Sequence, residues 1–337
     1  MRAAWLAGLL LAFVGSATAV ERVVSLAPSL TEIVVELGSA DLLVGVLDAG
    51  ERPAELLGLP SVGRYGQLDM ERLLSLQPDL LLLWPGSVGP AQREQLKRLN
   101  IPTYVAEPHN FEQLTTQIEG IAAQLGRPER GVSLASDLRR RLAELRQRYR
   151  RDTPLSVFYQ VWDKPLYTVG GEQIISDALE VCGAKNVFAD LKLPAPQVSV
   201  EGVLQRNPEV ILASDQAQLD AWKAWPQVAA VAQGQLRLVT DKGLERPSGQ
   251  MIEATAKLCQ LITPCGEGAC PRSGAQHPPS RQLQVPEKLQ GVASQPNGGK
   301  PPRHKMPSCK CNHFFYIPLF RLSICSIARH FYIEGVL

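Results

Sequence analysis

Residues 20–264 contain one histidine, His109, so any nucleophile–base–acid relay there would have to be built on it. It stands just after an expected strand and beside Asn110, a good helix cap, where a histidine more often has a structural or solvent-facing role. The chain has no G-x-x-x-x-G-K-[ST], G-x-S-x-G or H-E-x-x-H pattern. It offers instead large flat side chains at expected strand ends: Tyr65, Trp84, Trp162 and Tyr167. Such groups give contact area at low rotamer cost and suit a bulky, partly planar, mostly apolar ligand that is held rather than transformed, with ordinary packing as the alternative. Arg246, with Asp241 and Glu245 in a loop after a strand, could hydrogen-bond polar ligand groups; a local ion pair is the alternative.

Two further acids are related by an internal repeat. MERLLSLQPDLLLLW, residues 70–84, returns as VEGVLQRNPEVILAS, residues 200–214, with Glu71 on Glu201, Pro78 on Pro208 and Asp79 on Glu209. Each copy reads as a short helix, a proline that stops it and a buried strand. Glu71 and Glu201 could be a catalytic pair, acids that meet a basic partner, or acids favoured at a helix start; the residues alone favour the last.

The elements that must position these groups alternate. Strands are expected at 22–26, 42–46, 80–83 and 102–105, with helices after Thr31 as N-cap, at 93–99, and from Asn110 to Leu125. A loop is expected from the second strand to Tyr65. Strand–helix alternation with short connections predicts a parallel sheet covered on both faces, with ligands outside the carboxyl ends of its strands, here near Pro28, Trp84 and residues 107–110. Ser133 to Arg151 reads as one long helix with Leu134, Leu138, Leu142, Leu145 and Tyr149 on one stripe and a solvated face of arginines. It lies between the two repeat copies. A second α/β unit follows, with strands at 155–161, 166–169, 210–213 and 236–240, partial helix over 222–231, a loop over 241–248 and a closing helix at 250–261. The fold class expected is α/β: two Rossmann-like lobes with mainly parallel sheets, joined by one long rigid helix, with a ligand cleft between the lobes.

Composition bounds the rest. Residues 20–264 hold 25 Lys/Arg against 30 Asp/Glu, which leaves no electrostatic footprint for nucleic acid. Arg2, the apolar run from Trp5 to Val14 and Ala17-Thr18-Ala19 read as an export signal with a mature start at Val20, too short to insert in a membrane. Cys182 and Cys259 are the only cysteines of residues 20–264; in an oxidising compartment they pair, and two buried thiols are the alternative. Residues 265–337 differ in kind, with 9 Lys/Arg against 3 Asp/Glu and five cysteines, and read as a disordered or artefactual tail. Cys309, Cys311 and His313 there match no finger-type metal spacing. The expected divisions are 1–19 signal, 20–126 first lobe, 127–153 interlobe helix, 154–264 second lobe and 265–337 tail.

The stretches VVSLAPSLTE, LDMERLLSLQPDLLLLW, LEVCGAKNVFAD, PQVSVEGVL and LERPS, in this order over residues 23–248, resemble the periplasmic substrate-binding proteins in which one helix joins two α/β lobes. Several of these motifs are shared with haem and siderophore binders. LEVCGAKNVFAD and PQVSVE are similar more narrowly to the cobalamin binders of vitamin-uptake ABC transporters. The resemblance implies a monomeric periplasmic protein that is not an enzyme, has no cofactor of its own, and delivers cobalamin to an inner-membrane ABC permease; a haem or ferric-siderophore binder is the alternative. It implies that Pro28, Tyr65, Trp84 and Tyr167 line the ligand pocket and that Asp241 and Arg246 contact the ligand's amide periphery. It further implies that Glu71 and Glu201 dock on permease arginines, against the reading from the residues alone, and that Cys182 and Cys259 form the family disulfide. The chain departs from the pattern at Asp48-Ala49 and at Ala195, where the family has aromatic residues.

Overall fold

The computed structural model describes residues 20–48, 52 and 54–263. The expected targeting segment and the tail with Cys309, Cys311 and His313 lie outside these. The first lobe runs β1 (Val23–Ser25), α1 (Pro28–Glu36), β2 (Leu43–Asp48), β3 (Ser61–Arg64), β4 (Gln67–Leu68), α2 (Met70–Ser75), β5 (Leu80–Leu83), α3 (Pro90–Arg98), β6 (Thr103–Val105) and α4 (Phe111–Gln124). Its sheet has the order β4-β3-β2-β1-β5-β6 and is parallel except for the β3–β4 hairpin. Helix α5 (Pro128–Arg148) follows. The second lobe runs β7 (Leu155–Asp163), β8 (Leu166–Thr168), α6 (Ile174–Val181), β9 (Ala184–Asn186), α7 (Val200–Arg206), β10 (Val210–Ala213), α8 (Gln216–Trp222), α9 (Ala229–Ala232), β11 (Leu236–Leu238) and α10 (Gln250–Leu261). Its sheet runs β11-β10-β7-β8, with β9 also on β7, and only β8 is antiparallel.

Alternation along the strands sorts the core. Val23, Leu80 and Leu82 face inward with Val157, Tyr159, Val210 and Leu212 of the other lobe, in one continuous cluster that also takes in Leu138 and Leu142 of α5. Val24, Leu81 and Leu83 face the opposite side of the first sheet, and Phe158, Ile211 and Ala213 that of the second. The long helix therefore contributes one stripe, with Leu138 and Leu142, to a shared core and keeps its other faces exposed or half-buried. Its arginines lie on the solvated face expected from the sequence, Arg140 and Arg146 keeping 60% and 51% of their side chains exposed, and three of them also tie the helix to the lobes. Arg139 reaches Glu119 at 2.6 Å and Glu112 at 3.6 Å in the first lobe, while Arg141 reaches Glu253 at 3.2 Å and Arg146 reaches Asp177 at 3.6 Å in the second.

The repeat is a structural one. Asp69 and Ser199 cap α2 and α7 by accepting from Arg72 N at 2.8 Å and Gly202 N at 3.1 Å. Leu73 and Val203 are fully buried beneath. Gln77 and Asn207 then turn the chain through the left-handed region, at φ 46° and 43°. The acid after each proline closes the unit on the neighbouring strand: Asp79 accepts from the backbone of Glu21 and Arg22, and Glu209 from the N–H and hydroxyl of Ser156.

Several local expectations are corrected. Thr31 lies inside α1, its hydroxyl bonded to Ser25 and the Ala27 carbonyl, because Pro28 starts the helix three residues earlier. Pro128 likewise opens α5, ahead of the expected start at Ser133. The segment before Tyr65 carries β3 and residues 242–245 form a 3-10 turn, while residues 222–231 are partly helical as expected, at Trp222 and over 229–231. At the free side of β8, residues 191–198 lie alongside it, with Gly170 N–H on the Pro194 carbonyl and Thr168 N–H on that of Pro196. A Cβ on Gly170 would overlap the Leu193 backbone, so only glycine permits this approach.

Candidate functional site

The β3–β4 hairpin turns on Tyr65 and Gly66, and the positive φ of Gly66, 69°, lets two residues make the turn. Tyr65 is thereby held at a tip, half-buried. Trp84 ends β5, and the two rings meet edge-to-face with centroids 5.9 Å apart. Burial pushes the Tyr65 phenol well above its ordinary pKa, with the Arg246 charge opposing and the Glu32 charge reinforcing the shift. Tyr65, Arg246 and Glu32 therefore share one electrostatic neighbourhood. Pro28, on the first turn of α1, is one turn from Glu32. Tyr167 stands opposite Trp162 across the β7–β8 pair and bridges to Gln197.

The lobes meet through carboxylates. Glu32 accepts from Arg246 Nη1 at 3.0 Å and from Ser248 Oγ at 2.8 Å. One turn on, Glu36 accepts from the backbone N–H groups of Gly249 and Gln250 at 2.8 and 3.0 Å, so a first-lobe acid caps the start of α10. Burial nevertheless raises the Glu36 pKa, against these two N–H donors. The converse occurs at α4, whose Phe111 N–H donates to Asp177 of α6 at 2.7 Å. Beside it His109 Nδ1 donates to the Glu172 carbonyl at 3.1 Å, a structural role.

Arg246 thus pairs with Glu32 and not with Asp241 or Glu245, the partners expected from sequence. Asp241 accepts from Lys257 Nζ at 2.7 Å and Gly243 N–H at 2.8 Å, and this ammonium holds its carboxyl below the usual range. Both Arg246 and Asp241 line a depression of about 330 Å3 with Gln250 and Lys257. A larger cavity, about 710 Å3, lies among α4, α5 and α6, lined by His109, Arg139, Arg146, Asp177 and Glu180 among others. Tyr65, Trp84 and Tyr167 line neither, and the charges of the larger cavity are largely spent on each other. Glu71 and Glu201 are exposed, each in the first turn of its helix. Cys182 and Cys259 form a disulfide joining the end of α6 to α10. Among the described residues no group of three or more His, Cys, Asp or Glu is placed to hold a metal. Sequence reasoning missed Glu32, Glu36, Ser248 and Asp177: each reads as an ordinary polar position on its own element, and its partner is on the other lobe.

Comparison with known proteins bears on this arrangement. Residues 23–242 match the periplasmic binding protein family. The vitamin B12-binding protein of Vibrio cholerae is 34% identical over 245 residues, 72% of this chain and 89% of that protein. Its counterpart in Yersinia pestis is 34% identical over 249 residues, 73% and 88% of the two chains. The crystal structure of the Vibrio cholerae periplasmic vitamin B12 binding protein superposes with a TM-score of 0.65 at 33% identity, covering 72% of this chain and 96% of that one. A periplasmic heme-binding protein of Roseiflexus, at 24% identity and a TM-score of 0.63 over 72% and 98%, shares the fold alone. The chain belongs to the periplasmic binding protein family.

Proposed function

We propose that this protein captures cobalamin in a cleft between its two lobes, in the periplasm, and hands it to an inner-membrane ABC permease. The observation that carries the reading is the Tyr65–Trp84 pair beside Arg246 at the strand-end edge, in a chain one-third identical to vitamin B12-binding proteins over nearly their whole length. Aromatic faces would cover the apolar body of the corrinoid, with Pro28 and Tyr167 adding to the wall, and Asp241 and Arg246 would meet its amide rim. Glu71 and Glu201, exposed at matched positions of the two lobes, suit docking onto basic residues of a permease. No catalytic step or resident cofactor is part of this reading, and a monomer would suffice for it. The reading takes the lobes as residues 20–126 and 154–264, about the helix of 127–153.

Haem is the competing ligand on this fold. A tyrosine ligand to haem iron must give up its proton, and burial opposes that at Tyr65. His109 lies at the other cavity, on the Glu172 carbonyl. Calorimetric titration of the purified protein with cyanocobalamin and, in parallel, haem tests the reading. The expected result is one-to-one corrinoid binding at micromolar affinity or tighter, about −8 kcal/mol, weakened roughly tenfold or more in Trp84→Ala. Haem binding without corrinoid binding would overturn it.

A further inference from the structure

We infer that Glu32 is a positioning and specificity residue of the cleft: by holding Arg246 across the lobe boundary it presents a charge-compensated donor, which favours neutral, amide-rich ligands over anionic ones. This rests on the cleft reading above.

Glu32 keeps 7% of its side chain exposed, and a carboxylate so enclosed needs partners for both oxygens. It has them: Arg246 on one and Ser248 on the other, both from the second lobe. Arg246 keeps 33% of its side chain exposed. Its guanidinium carries five N–H donors, and the contact with Glu32 Oε1 takes one of them. An arginine pinned in this way loses less rotamer freedom when a ligand arrives. Of the other charges around it, Asp241 pairs with Lys257 at 2.7 Å and Glu253 with Arg141 at 3.2 Å, while Lys242 lines the same depression and Glu245 is the next residue along the chain. An amide carbonyl approaching Arg246 gains a hydrogen bond. A carboxylate approaching the same place also meets the charge of Glu32. Glu36 serves as an internal comparison, because it lies on the same helix and at the same lobe boundary but bonds the start of α10 rather than Arg246.

The test uses the full chain as wild type, Glu32→Gln and Glu36→Gln, titrated with cyanocobalamin and with haem, whose propionates are anionic. In Glu32→Gln, corrinoid binding should weaken on the order of tenfold, while haem binding strengthens relative to wild type. Glu36→Gln should leave both affinities unchanged. Equal weakening for both ligands in Glu32→Gln, or the same effect in Glu36→Gln, would reduce Glu32 to a structural tie and overturn the inference. A wild type that binds haem and no corrinoid would sink the proposed function, yet tightening of haem by Glu32→Gln would still uphold this one. A readout free of any ligand accompanies these: the nitrogen-15 signal of the Arg246 Nε–H should be that of an ordered side chain in wild type and Glu36→Gln and of a mobile one in Glu32→Gln. Its persistence in Glu32→Gln would count against the positioning role.

Discussion

At the scale of single residues, the site is a set of contacts whose partners lie far apart in the chain. Asp241 shows how charge pairing becomes a pH dependence. Its folded-state pKa lies below the ordinary value, so the stability it contributes is present above the ordinary aspartate range and is lost as pH falls through the folded value. Melting temperatures of wild type and Asp241→Asn, measured between neutral pH and pH 3, should therefore differ most near neutrality and converge in acid; a constant difference would mean that Lys257 contributes nothing through charge. The residue types of the site were legible in the sequence, since Tyr65 and Trp84 are scarce aromatics beside glycines and strand ends. The pairing of Arg246 was not. Asp241 and Glu245 are its neighbours along the chain, whereas Glu32 precedes it by 214 positions and reads locally as one polar residue on the helix SLTEIVVE.

Between elements, the lobes cap each other's helices, Glu36 on α10 and Asp177 on α4. Removing the cap in Glu36→Ala should cost roughly 1 kcal/mol in denaturant unfolding; a loss within error would show that water replaces the carboxylate. Acid does not open this contact by way of Glu36. Burial raises its pKa, so the folded state holds the proton more tightly and the contribution of this group to stability falls as pH rises through the raised value. Repeat boundaries were readable because a proline and a run of leucine or valine are local signals, as at Pro78 and Pro208. α1 and α5 start earlier than Thr31 and Ser133 suggest, because proline at the first helical position costs nothing.

For the whole molecule, the alternation of strands and helices was enough to give two parallel sheets. The continuity of the core was not legible, because Leu138 and Leu142 look the same on a free-standing amphipathic helix as on one whose apolar stripe is enclosed by two lobes. Since inner faces, long helix and both lobes share one cluster, thermal unfolding should be a single calorimetric transition. The Cys182–Cys259 bond closes a loop across a sequence separation of 77, and its replacement in Cys182→Ala/Cys259→Ala should cost about 2–5 kcal/mol without splitting that transition. Two separated transitions would mean that the lobes are independent.

That enclosure has a consequence in time. A chain made from its N-terminus completes β1, β5, α1 and α4 before α5 and β7 exist, so Val23, Leu80 and Leu82 can pack with first-lobe residues such as Ile33 and Ile118 while Leu138, Leu142 and the second-lobe part of the same cluster are still to come. The first half can collapse on its own helices but leaves part of that cluster uncovered until the second half arrives. The cluster closes only when α10, which brings Met251, Ile252 and Leu258 and carries one half of the sulfur bridge, arrives.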